Sequence, residues 1–227
     1  MNWHSILPGE VLATLRSGED GLSDAQAARR QLLHGPNLFR AAAPMPPPTV
    51  LLAQLRSMLV LLLIVAGAVA ALTGDAGGAS AIGAVLVLNV AIGFTTELRA
   101  HRAMEAVLGL EVHRARVVRD GHSREIDARE LVPGDVILLE EGQTVPADAR
   151  LLRSIELRTV EAALSGEPGS VPKAAAGAMS SDAPIADRGT MVFKTTSVVA
   201  GSARAVVVAT GMDTEVGRLG KLAAAVV

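Results

Sequence analysis

The chain has no cysteine and no tyrosine, and its only aromatic residues are Trp3, Phe39, Phe94 and Phe193. The lack of cysteine excludes disulfides and thiolate metal sites within these 227 residues. There is no charge excess either: 21 basic residues face 23 acidic ones, for a formal net charge of −2. That balance excludes the basic footprint of a nucleic-acid binder. The five histidines, His4, His34, His101, His113 and His122, show no metal-ligand spacing and read as surface residues. No Walker-type G-x-x-x-x-G-K-[ST] loop occurs. The N-terminus has neither a charged n-region nor an early apolar run, so no cleaved signal is expected there.

What the chain has instead is aliphatic residues. Half of it is hydrophobic, with a mean hydropathy of +0.39, and that excess is concentrated. Ser57–Gly74 is 18 residues without a charge; after Asp75, Ala76–Thr96 is 21 more. A bilayer core needs roughly 20 helical residues, so the two runs read as a transmembrane helical hairpin with a short connection at Thr73–Gly78. Arg40 and Arg56 precede the first run and Arg99 and Arg102 follow the second, while the connection has no Lys or Arg. The positive-inside rule then places both ends in the cytoplasm and Asp75 outside. Asn89 is a polar group within the second run, a functional flag read as helix–helix hydrogen bonding ahead of ion ligation.

The flanking sequence reads as soluble structure. Ser23 with Gln26 forms a capping-box signature for a helix whose apolar side continues through Leu32 and Leu33 and which Gly35-Pro36-Asn37 stops. Ala43–Pro48 is a stiff proline-rich linker. Glu97–Leu110 continues the second apolar run as a polar helix. The period then changes to two: Ala115–Arg119 and Arg124–Ile126 flank a hairpin signal at Asp120-Gly121. Val136–Leu139 and Ala149–Leu152 are expected strands, and Thr196–Ala200 and Ala203–Ala209 an expected pair around Gly201. Gly211–Thr214 opens a last helix through Leu222. Ala174–Ala178 with Ser180-Ser181 reads as a surface loop. The resulting partition is an N-terminal segment 1–49, a membrane hairpin 50–97, a mainly β domain 98–215 and a connector 216–227.

Ordered along this frame are Gly21-Leu22-Ser23 and Gly35-Pro36-Asn37; Asn89, Gly93-Phe94 and Glu97; Leu131-Val132-Pro133-Gly134-Asp135; Gly142 with Val145-Pro146-Ala147-Asp148; Glu161-Ala162-Ala163-Leu164-Ser165-Gly166-Glu167; and Ala209-Thr210-Gly211 with Thr214-Glu215-Val216-Gly217. In this order around a membrane hairpin, the set resembles the N-terminal third of a P-type cation-transporting ATPase. The resemblance implies a membrane α-helical hairpin plus a mainly β cytoplasmic actuator domain, a distorted barrel of jelly-roll type with flanking helices. It places the chain in a cell (inner) membrane as a multi-pass protein, with its N-terminus and actuator domain in the cytoplasm.

The family's Thr-Gly-Glu loop removes phosphate from an aspartyl intermediate, and the matching positions here are Ser165, Gly166 and Glu167. The resemblance assigns Glu167 to positioning the attacking water, a task suited to a carboxylate. Glycine at 166 allows close backbone approach, and a small hydroxyl at 165 can fix the loop. The family usually reads T-G-E-S-x-P-V-x-K; here it is S-G-E-P-G-S-V-P-K, with Pro168 for Ser and Ser170 for Pro. Pro168 lacks an N–H and biases Glu167 toward extended geometry. Thr195 stands where the family often has glycine.

No aspartate is followed by lysine, so the phosphorylated D-K-T-G motif is missing from these residues. This chain alone is expected to bind no cofactor or metal ion and not to hydrolyse ATP. ATP and Mg2+ belong to the complete pump. The expected partners are the lipid bilayer and the phosphorylation and nucleotide-binding domains of the same or a companion chain, with no nucleic acid. The alternative is a truncated, non-catalytic, membrane-anchored module that associates with a full pump. A reading frame continuing past Val227 into D-K-T-G separates the two. The absence of cysteine disfavours the heavy-metal branch, which often carries Cys-x-x-Cys domains.

Overall fold

The computed structural model describes residues 1–39, 57–108, 114–166 and 169–225. The proline-rich linker at 43–48 and the candidate residue Glu167 lie outside them. The chain divides into two compact units, one built from residues 1–40 and 111–227 and the other from 41–110.

The first unit is a seven-stranded antiparallel sheet in the order β2-β1-β3-β7-β4-β5, with β6 paired to β4. The strands are β1 (Arg114–Arg119), β2 (His122–Asp127), β3 (Val136–Glu140), β4 (Asp148–Val160), β5 (Ser170–Pro172), β6 (Met191–Val192) and β7 (Ser197–Ala209). The β1–β2 hairpin turns at Asp120 and Gly121, both at positive φ (50° and 75°), as a two-residue turn matched to strand twist requires. β7 lies at the centre. Its Ala205 and Val207 enter one apolar cluster with Val117, Ile137 and Leu151, while Val206 and Val208 enter a second with Val11, Met191 and Phe193. Burial on both faces is why this strand is a continuous aliphatic run rather than an alternating one.

The sequence predicts two strands broken at Gly201, but β7 is one strand of 13 residues. It pairs with an equally long β4, which extends well beyond the expected Ala149–Leu152. The pairing passes through register shifts near Ile155–Arg158. Gly201 sits there at φ +77, and a Cβ on it would lie 2.2 Å from the Ile155 carbonyl oxygen. A strand glycine here marks a bulge where two backbones touch, not a turn.

Helix α1 (Pro8–Thr14) packs Val11 into the second cluster, joined by half-buried Trp3, Ile6 and Leu12. Helix α2 (Asp24–His34) has the expected reciprocal capping box between Ser23 and Gln26. Its buried side differs from expectation. Ala27 is buried with Leu22 and Val132, whereas Leu32 and Leu33 are 88% and 81% exposed. Two leucines do not define the inner face when an alanine one turn earlier allows closer packing and Arg30 on that side reaches backbone carbonyls.

The second unit holds two apolar helices, α3 (Met58–Leu72) and α4 (Ala76–Leu108). They pack side by side and are joined by a turn in which Asp75 Oδ1 accepts the Gly78 N–H at 2.9 Å. A Cβ on Gly67 would meet Ile82 at 3.4 Å, so the helices touch closely there. Among the described residues one helix, α4 over Ala76–Thr96, is long and apolar enough to cross a membrane; Val60–Leu72 is a shorter apolar helix.

Candidate functional site

The Ser165–Glu167 loop is the connection between β4 and β5. β4 ends at Val160; Glu161 follows, then the short helix α5 (Ala162–Ser165), then Gly166, and the chain returns as β5 with Ser170 opposite Val160. Gly166 caps α5 in the left-handed region (φ 75°, ψ −4°), its N–H donating to the Ala162 carbonyl at 3.0 Å. A Cβ there would meet nothing within 4 Å, so the backbone conformation, not space, selects glycine. Gly166 is exposed. Ser165 is the last helical residue.

Both ends of the loop are clamped inside the sheet. Glu161 Oε1 lies 2.6 Å from Lys173 Nζ, with both side chains buried, and the Thr159 hydroxyl donates to the same oxygen at 3.0 Å. Burial pushes the Lys173 ammonium below its ordinary pKa, and Glu161 opposes that shift. The ammonium also lies 5.4 Å from the centre of the Phe193 ring. Leu164 is half-buried against the Phe193 cluster. Ser170, where the family pattern has proline, accepts from Arg158 through both its hydroxyl and its carbonyl. The described part of the connection thus leaves from and returns to a buried ion pair, with Gly166 exposed between. Sequence reading missed the Glu161–Lys173 clamp, although both residues flank the loop within the quoted motif.

The other motifs converge on a second place. Asn37 is buried; its amide donates to the carbonyls of Ala128 and Pro146, both at 2.9 Å. Its Oδ1 accepts from Gly211 N–H at 2.8 Å and from Lys194 Nζ at 3.3 Å. One side chain thus satisfies groups from four segments and uses its full hydrogen-bonding capacity. Asp148 is buried nearby. It accepts from Lys194 N–H at 2.8 Å and from Glu215 N–H at 2.7 Å, the latter at the start of helix α6 (Glu215–Ala225). Burial raises its pKa to about 6 against the opposing pull of those two N–H bonds. Asp135 is buried too, but forms a bidentate pair with Arg119 at 2.7 and 2.8 Å. Pro133-Gly134 forms a turn and Pro146-Ala147 leads into β4 through a bend, and the aspartate that follows each ties it into the fold.

Two further residues carry weight that the sequence did not signal. Arg150 is fully buried and has no carboxylate partner among the described residues; its guanidinium donates to the carbonyls of Ile6, Leu151, Ala175, Gly177 and Thr190. Burial lowers its pKa to about 10. It staples the N-terminal segment and the Ala174–Ala178 loop, which is on the surface as read, to β4. His4, read as a surface residue, is buried, with Nε2 3.2 Å from the Ser181 carbonyl. The short 3-10 turn at Trp3–Ser5 carries it under that same loop. His34 and His122 are exposed, and the side chains of His101 and His113 lie outside the described residues. Among the described residues no three His, Asp or Glu side chains are grouped to hold a metal ion.

The chain has counterparts among known proteins. Residues 109–224 match the P-type ATPase actuator domain, and residues 3–70 match the cation transporter/ATPase N-terminus. The chain is 37% identical over 223 residues to the probable cation-transporting ATPase F of Mycobacterium tuberculosis, covering 98% of this chain and 24% of that one. It is 34% identical over 226 residues to calcium-transporting ATPase 1 of Bacillus cereus, covering 97% and 26%. To a sodium/potassium exporting P-type ATPase of Schizosaccharomyces pombe it is 35% identical over 207 residues, covering 90% and 20%. The chain spans roughly a quarter of the length of these relatives. Matched along almost its whole length, this chain belongs to the P-type ATPases and carries their N-terminal segment and actuator domain.

Proposed function

We infer that the chain works as the actuator and first membrane hairpin of a pump that couples aspartyl phosphorylation and dephosphorylation to cation transport. The observation that carries this reading is the clamped loop. The Ser165-Gly166-Glu167 segment connects β4 to β5, and the buried Glu161–Lys173 bridge ties together the residues that flank it. A loop so held moves as a rigid tip when the whole domain turns, and delivers a carboxylate to a phosphoryl group on another domain. Glu167 would orient and partly deprotonate the attacking water. Gly166 keeps the approach open, and Ser165 closes the preceding helical turn. ATP and Mg2+ act on the domains that carry the phosphorylated aspartate.

In this reading α3 and α4 both cross the membrane, with Asp75 on the far side and the sheet, closed toward a distorted jelly roll, in the cytoplasm. Rotation of the domain is transmitted through the chain at 41–56 and through the polar end of α4. In a complete pump carrying this segment, Glu167→Gln should leave phosphoenzyme formation intact and slow its hydrolysis at least about a hundredfold, the lower range for loss of a general base. Acid-stable phosphoenzyme decay measures it, and decay at the unmodified rate removes Glu167 from the mechanism.

A further inference from the structure

The outer face of α2 is not accounted for by the actuator role. Arg29, Leu32 and Leu33 are spaced i, i+3, i+4 and so share one side of the helix, and all three are exposed. The helix cannot roll to hide them. Ala27 is buried on the inner side, and Arg30 is bonded to the carbonyls of Leu15, Arg16 and Pro133. Two adjacent leucines at 88% and 81% exposure are thus held toward solvent beside a cation. Arg29 has no ion-pair partner among the described residues.

We propose that this face of α2 is a docking surface for an anionic lipid bilayer. The occupant is argued from charge and connectivity. From Ala25 through Gly74 the chain runs 50 residues without an aspartate or glutamate, and carries Arg29, Arg30, Arg40 and Arg56. That stretch begins on α2 and ends just past the first apolar helix. A run that excludes acids so completely matches a negative lipid surface, and an apolar pair flanked by arginine is the pattern of a helix lying in the headgroup region. Residues 35–57 separate α2 from α3. That length of chain extends to at most about 83 Å, so a threaded α3 keeps α2 at high effective concentration near the surface. Leu32 and Leu33 enter the headgroup boundary and Arg29 meets lipid phosphates. Docking and undocking of α2 then biases where the actuator domain rests between turns.

The proposal rests on the spanning reading above, and the test separates the two. Because the chain has no cysteine, single sites can be labelled without background. Leu33→Cys, Ser123→Cys on the exposed edge strand β2, and Ala84→Cys within α4 each receive an environment-sensitive fluorophore. The full chain is placed in nanodiscs of phosphatidylcholine alone or with phosphatidylglycerol, each with a lipid-borne quencher. Expected are strong quenching at 84 in both lipids, quenching at 33 only with phosphatidylglycerol, and none at 123. Arg29→Gln should weaken the docking at 33 about fivefold, the factor expected for one cation at an anionic leaflet. A label at 33 as water-exposed as that at 123 overturns the proposal. So does a label at 33 shielded but unquenched by lipid, which means a protein surface covers it, or quenching indifferent to lipid charge and to Arg29. Absence of quenching at 84 overturns the spanning reading and this proposal with it.

Discussion

In the β-rich unit Ala205, Val206, Val207 and Val208 are all buried, whereas in the helix pair Leu62, Val65, Val69 and Leu88 keep more than half of their surface open. The two units draw on the same aliphatic residues and place them oppositely. The sheet turns them inward and then fills the remaining interior with polar groups that have partners: Arg119 with Asp135, Glu161 with Lys173, Arg150 with five carbonyls. The helices satisfy their backbone groups internally and leave the side chains outside, which suits lipid as solvent. The difference teaches that composition alone is silent about environment, because burial in protein and burial in lipid ask for the same residues.

The contrast breaks hardest at Phe193. Phe193→Ala should cost the β unit about 3–5 kcal/mol, while Leu88→Ala on the outside of α4 should leave that unit unchanged. Denaturant titration of the full chain in nanodiscs, read by Trp3, the only tryptophan, checks both. Lys173→Met follows, at about 3 kcal/mol, since it removes the cation facing a buried carboxylate; the same titration should show loss of stability with the fold retained. Asp148 sharpens the comparison through pH. Its folded pKa of about 6 lies above the ordinary aspartate value of 3.8. Its contribution is therefore fully present below pH 3.8 and is lost as pH rises through about 6. The change amounts to about 2–3 kcal/mol at 1.36 kcal/mol per pKa unit. Unfolding curves of Asp148→Asn should lack this component between pH 4 and 7; curves parallel to the unmodified chain would refute it. The smallest effect is at Thr195, which holds φ +74. Thr195→Gly should stabilise the unit by under about 1 kcal/mol, relief of left-handed strain minus the entropy of glycine, visible as a small shift of the midpoint.

Thr195 also shows what legibility depends on. Its departure from the family pattern was readable, but its physical meaning, a left-handed backbone, was not. The capping box at Ser23 and the Asp120-Gly121 hairpin were readable in full because both are decided within four residues. Gly201 was misread because a bulge and a turn leave the same local mark, and only the partner strand at Ile155–Glu156 distinguishes them. Leu32 and Leu33 were misread because periodicity tells that a face is apolar, not that it is covered. The candidate loop was found by motif, but its clamp was not. Glu161 and Lys173 look like surface charges until β4 and β5 bring them together.

By itself the sequence determined the two apolar stretches, the change from helical to strand periodicity after Leu110 and the order of the motifs, since each depends on neighbours along the chain. Tertiary structure decided the rest. It gathered Asn37, Pro146, Lys194 and Gly211 around one amide and set Asp148 against the start of α6. It also buried Arg150 and His4 beneath the 173–190 loop. Those outcomes depend on which segments meet in space, and a buried polar group is tolerable only where the fold supplies its partners.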